Sequence, residues 1–142
     1  MRKIVTAAII INLIAIALVI AFIWSRSIKD VEESADESGA FMEAVVIPVE
    51  KALLGREVIS EKTVRKWAHA FEFTILGIVL ALFTKKLWNT LGIGMATAVI
   101  DETIQLYVGR TSRVTDIWID TFGCLLGAAA VLLILRVCKN KS

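Results

Sequence analysis

Proline occurs once, at Pro48, and histidine once, at His69. A lone imidazole excludes a metal centre built on several histidines, the commonest catalytic zinc arrangement. There are two cysteines, Cys124 and Cys138, and both fall in one apolar segment. In a straight helix they lie roughly 20 Å apart at ~1.5 Å per residue, which excludes a bridge between them. They read as small apolar packing residues and leave the redox compartment undetermined. No internal repeat or low-complexity segment is present. Charge is also scarce in its sum: sixteen basic against fourteen acidic residues give +2. No strong field of one sign results, and no nucleic-acid partner is expected. What is abundant is apolar sequence, 57% of 142 residues, with a mean hydropathy of +0.73. That composition belongs to a membrane protein.

Four apolar stretches approach the ~20 residues that a helix needs to cross a bilayer. They are Ile4–Trp24, Trp67–Thr84, Leu87 to about Val108, and about Thr115 to Val137. The expected fold is an all-α bundle of four transmembrane helices. Arg2 and Lys3 precede the first stretch as they would a secretory signal. The run is longer than the ~7–15 residues of a signal core, and no small-residue cleavage site follows, so it reads as an uncleaved anchor. The third stretch carries Asp101, Glu102 and Gln105 within it, but Leu91–Ile100 before them reads as apolar on all sides, as in a buried or spanning helix. Lysine and arginine set the orientation. Seven basic residues (Arg2, Lys3, Lys85, Lys86, Arg136, Lys139 and Lys141) crowd three short pieces with no acidic residue among them. Residues 25–66 hold seven basic and nine acidic residues in one long piece. The denser side is cytoplasmic, so both termini are expected inside a multi-pass protein of the bacterial cytoplasmic membrane. The chain then divides into an anchor (1–24), an extracytoplasmic loop (25–64), a three-helix region (65–138) and a cytoplasmic tail (139–142).

The loop has two halves. Ser25–Gly39 is charged and small, and is expected to be solvated and mobile. From Phe41 on, Phe41, Met42, Val45, Val46, Val49, Ala52 and Leu53 recur at helical spacing opposite Glu43, Glu50 and Lys51. That stripe suits a short helix lying in the membrane interface or a lid on the bundle. Pro48 disfavours helical geometry at Ile47, which predicts two helical pieces, the second ending at Gly55.

In a four-span alternation the polar residues all fall in the outer half of the membrane. Lys66, His69 and Glu72 open the second helix, on one face with Phe73. Asp101, Glu102 and Gln105 close the third. Arg110 and Arg113 lie in the loop after it, and Asp116 and Asp120 in the first turns of the fourth. Asp116, Asp120, Gly123 and Gly127 share a face, and the Gly123–Gly127 pair permits close helix approach. Ionisable groups at this depth cost ~2.5–3.5 kcal/mol each unless they face partners or water. Three uses suit the cluster. Arg110 and Arg113 would neutralise the carboxylates and lock helix register. Arg110 and Lys66 would bind a polar headgroup or phosphate in an outward-facing pocket, or His69 and Glu72 would run acid/base chemistry there. Finally, His69 and Glu72 with Asp101, Glu102, Asp116 or Asp120 would hold Zn²⁺ or Mn²⁺. No cofactor follows from the sequence, and catalysis stays open.

Two stretches carry a family resemblance. Arg65-Lys66-Trp67-Ala68-His69-Ala70-Phe71-Glu72-Phe73, with Leu76-Gly77, resembles the first motif of the VanZ-like membrane proteins. Asp101-Glu102-Thr103-Ile104-Gln105, then Gly109-Arg110, Asp116, Gly123 and Gly127, resembles the second. The likeness covers about residues 65–128. Phe73 stands where a tyrosine is usual, losing a hydroxyl, and Asp120 where an asparagine is usual, adding charge to an acidic pocket. The family takes its name from a member associated with resistance to the glycopeptide teicoplanin, and no reaction is attached to it. The resemblance therefore implies a bacterial envelope protein. Expected partners are membrane lipid and a lipid-linked cell-wall precursor or glycopeptide. The binding residues would be Lys66, His69, Glu72, Asp101, Glu102, Gln105, Arg110, Asp116 and Asp120.

Overall fold

A computed structural model describes residues 2–29, 36, 39–54, 56 and 59–140, leaving aside the side chains of 2–4, 54 and 61. Most of the expected mobile stretch, the proposed stop at Gly55 and the tail residue Lys141 lie outside the described residues. The described chain is helical and contains no strand. Helix α1 is Arg2–Ser27; a π-helical turn, Met42–Val46, leads into α2, Ile47–Leu54. Helices α3 (Glu61–Thr84), α4 (Leu87–Tyr107) and α5 (Val114–Asn140) follow.

The helices run past the apolar stretches that announce them. Ser60 caps α3, its Oγ accepting the Thr63 amide at 3.3 Å, so the helix begins at Glu61 and not at Trp67. It ends at Lys85, in left-handed geometry (φ 53), and the extended Lys86 starts α4 after a two-residue turn. Helix α4 closes on Gly109 (φ 78) in a Schellman motif. The Arg110 amide donates to Gln105 O at 2.9 Å and the Gly109 amide to Leu106 O at 3.2 Å. That motif turns the chain sharply and sets Arg110 directly over the last turn of α4.

Three helices are long and apolar enough to cross a membrane: Val5–Ser27, Lys62–Thr84 and Val114–Asn140, with hydropathies of 2.8, 1.6 and 2.2. Helix α4, at 21 residues, has the length but not the apolarity. Nor is it apolar on all sides. Its buried face is Thr90, Gly94, Thr97, Ala98, Asp101, Glu102 and Gln105, while Ile93, Met95, Val99 and Ile100 point outward. The polar groups are packed inside because each finds a bond there. Thr97 Oγ1, for instance, donates to Ile93 O at 2.9 Å.

Helix α3 packs against α1, α4 and α5. Its approach to α5 is close because three glycines remove the side chains between them. A Cβ on Gly123 would overlap the Ala70 carbonyl, one on Gly127 the Thr74 carbonyl, and one on Gly77 the Cys124 carbonyl. The core behind this seam is Ile23, Phe73, Leu76, Leu80, Ala98 and Cys124.

The loop segment departs from the expected break at Ile47, which is α-helical (φ −61, ψ −46). Pro48 sits in the first turn of α2, where its missing N–H is not needed, and the wide π turn before it makes room for the ring. Phe41, Val45, Val49 and Leu53 point outward, and Glu50 is the buried residue, its Oε1 accepting the Ile59 amide at 2.8 Å. The apolar stripe therefore does not pack on the bundle as a lid would.

Candidate functional site

The end of α1, the start of α3, the end of α4 and the start of α5 meet at one end of the bundle, and the ionisable residues meet there with them. Asp101 is fully buried between two neutral donors. Ser27 Oγ donates to its Oδ1 at 2.6 Å and Gln105 Nε2 to its Oδ2 at 2.8 Å. Glu72, one turn deeper on α3 than His69, takes Arg26 Nε on Oε1 at 2.9 Å and faces His69 Nδ1 with Oε2 at 3.3 Å. His69 Nε2 lies 3.4 Å from Gln105 Nε2 and 4.0 Å from Asp101 Oδ2. The imidazole thus stands between two carboxyls, a position from which it can hold or pass a proton. Lys66 pairs with Asp116 across the α3–α5 seam.

Helix α1 contributes two of these contacts, which confines the cluster to four helices and not to three. Arg26 and Ser27 read in sequence as exit residues of an anchor. The available signal was their position: α1 ends at the end of the bundle where the other polar residues gather. The two arginines expected to neutralise carboxylates do not do so. Arg113 reaches Glu102 through its backbone amide, at 3.1 Å, and Arg110 Nη1 donates to Arg26 O at 3.4 Å. Among the described residues, neither guanidinium is ion-paired with a carboxylate. The expected metal set is also divided. Glu72 is turned toward Arg26 and His69, and Asp116 toward Lys66. The carboxylates that converge are Asp101, Glu102 and Asp120, with ligand atoms within 4.8 Å of one another.

Above them is a cavity of about 330 Å³. Its walls carry Lys62, Arg65, Lys66, Arg110 and Arg113 as well as His69, and Glu102, Asp116 and Asp120 also line it. Sequence reasoning passed over Lys62 and named Arg65 only within a motif; both count as rim residues only once α3 is known to extend back to Ser60. Burial, then the neighbouring Arg65, lowers the pKa of the Arg110 guanidinium from its ordinary value, with Asp101 and Glu102 pulling the other way. An arginine still keeps its charge. The shift marks a half-buried cation crowded by other cations. Phe73, in place of the family's tyrosine, is fully buried in the core and lies away from this cavity.

Long apolar helices and a charged recess confined to one end define an integral membrane protein. The VanZ/LLP1 family model matches residues 12–136, most of the chain, and the protein belongs to that family. No curated protein and no solved structure matches it.

Proposed function

We propose that this protein binds, at the outer face of a bacterial membrane, the phosphorylated headgroup of a lipid or lipid-linked cell-wall precursor. The proposal includes a four-span topology with both termini in the cytoplasm, α4 crossing with its polar face turned inward and the segment from Phe41 to Leu53 lying in the interface. One observation carries the reading: a cavity of about 330 Å³ whose walls gather five lysines and arginines. Phosphate oxygens suit such a rim, because lysine and arginine give charge-assisted hydrogen bonds. The cavity adjoins the helix ends, where a lipid headgroup lies. A link to teicoplanin resistance, which the family resemblance implies, fits a protein that holds a wall precursor at that face.

Lys62 and Arg113 have exposed side chains, and Arg113 serves Glu102 through its backbone alone. The Lys62→Gln, Arg113→Gln double variant therefore keeps the internal bonds while removing two rim charges. Binding of a polyprenyl phosphate to purified protein in nanodiscs should weaken roughly tenfold or more, at about 1 kcal/mol per cation near an anionic surface. The melting temperature should not move. Equal affinity of the wild type for polyprenyl phosphate and the neutral prenol would sink the reading. A second reading, acid/base chemistry by His69, is favoured by its 3.3 Å contact with Glu72 and its place in the cavity wall. It predicts that the bound phosphate is turned over and that His69→Ala stops this without loss of binding.

A further inference from the structure

We propose that Asp101, Glu102 and Asp120 bind one divalent cation at the floor of the cavity. Their ligand atoms all lie within 4.8 Å of one another, and each residue is at most 4% exposed. Buried acidic residues alone do not make a site; here the state of Asp120 adds a second observation. The residue is 2% exposed and lines the cavity, and among the described residues its carboxylate accepts no hydrogen bond. Asp101 and Glu102 are different. Asp101 is held by Ser27 and Gln105, and Glu102 by the Arg113 amide. These bonds fix two of the three carboxylates and leave the third with only the neighbouring His69 imidazole as a counter-charge. Two other nearby cations are used elsewhere, Lys66 on Asp116 and Arg26 on Glu72.

A carboxylate in such a place takes up a proton unless it has compensation from a cation. A cation at the centre of the three oxygens supplies it. Oxygen donors alone select a hard ion, Mg²⁺, Ca²⁺ or Mn²⁺, bound at ~2.0–2.6 Å. Three protein ligands leave coordination positions open toward the cavity. Ion binding itself does not depend on the headgroup reading. The extension to a phosphate, whose oxygens would fill the open positions, rests on that reading.

Mn²⁺ serves as the probe, followed by electron paramagnetic resonance on detergent-purified protein in the absence of any phosphate. We expect one Mn²⁺ per chain with a Kd below about 1 mM, displaced by Mg²⁺ or Ca²⁺. Asp120→Asn and Glu102→Gln keep size and should each weaken it about tenfold or more. Glu43→Gln, an exposed carboxylate on the π-helical turn and outside the three, should bind as the wild type does. No uptake by the wild type at 1 mM, or uptake undiminished in both Asp120→Asn and Glu102→Gln, overturns the site. The wild-type measurement decides even if a variant fails to fold. Loss of polyprenyl phosphate binding in Lys62→Gln, Arg113→Gln with Mn²⁺ uptake intact separates the two proposals.

Discussion

Asp101 sits in the interior of a membrane protein held by a hydroxyl and an amide, and the hydroxyl comes from the helix that looked least involved. Ser27 is fully buried, and its hydroxyl donates to Asp101 Oδ1 at 2.6 Å. Ser27→Ala removes a donor and leaves that oxygen dry. Hydrogen bonds to charged groups contribute ~1.5–3 kcal/mol in water-soluble proteins, while bonds between membrane helices average ~0.6. The site is buried in protein and carries a carboxyl, so a loss of about 1–2 kcal/mol is expected in reversible unfolding in detergent. Ser25→Ala is the control. Ser25 is exposed and donates only to Phe22 O within its own helix, so its loss should stay within ~0.5 kcal/mol. Equal effects for the two serines would mean that the Asp101 contact does not matter to stability. The same comparison explains why Ser27 was passed over in sequence. A serine after an apolar run, next to an arginine, has the composition of any membrane exit, and its value comes from a residue 74 positions away.

At the level of the helices, the seam between α3 and α5 holds the site in register. Lys66 on one helix and Asp116 on the other meet only while the backbones stay close. Closeness is set by Gly123, Gly127 and Gly77, each facing a backbone carbonyl with no room for a Cβ. A carbonyl cannot rotate aside as a side chain can, so Gly127→Ala must push the helices apart. A loss of about 2–3 kcal/mol is expected, at the upper end of overpacking costs. Gly92→Ala on α4 should do the reverse, since nothing lies within 4 Å of the added carbon and alanine favours a helix by up to ~1 kcal/mol. Thermal unfolding of the two variants side by side tests this, and a Gly127→Ala protein as stable as Gly92→Ala would refute the seam. Much of this layout was legible in sequence. The Gly123–Gly127 spacing, the face shared by Asp116 and Asp120, and the three-residue steps from Lys66 to Glu72 all follow from helical period. The burial pattern of α4 was not legible. Thr90 and Thr97 look indifferent in a hydropathy reading, yet they mark its inner face. Period reveals which residues share a face, but not which face is turned inward, because lipid is as apolar as a helix's own side chains and accepts the apolar side outward.

For the whole molecule, the proposed topology makes a claim that two thiols can test. The cavity and the α4–α5 connection lie at one end of the bundle, and Cys138, near the last residue of α5, lies at the other. Lysines and arginines lie at both ends: Lys85, Lys86, Arg136 and Lys139 at the far end, the cavity rim at the near one. The positive-inside rule weighs them by density in short loops, which puts the far end inside. Thr111 is exposed on the cavity wall and is a suitable reporter for the near end. In intact cells, a membrane-impermeant maleimide should label Thr111→Cys and leave Cys138 unmodified until the membrane is opened. Cys124 is buried and should stay silent in both conditions. Early labelling of Cys138 with protection of position 111 would turn the protein over, and the site would then serve a cytoplasmic ligand. Labelling of both from outside would mean that α5 does not cross. Its 27 residues contain a stretch with a mean hydropathy of 2.2, which argues strongly against that result. A direct test of α4 needs one more position. Trp88, exposed in its first turn beside Lys86, should when changed to cysteine share the protection of Cys138. If position 88 is instead labelled along with position 111, α4 lies on the outer surface, and its buried carboxylates would face a membrane-surface groove and not the interior of a spanning bundle.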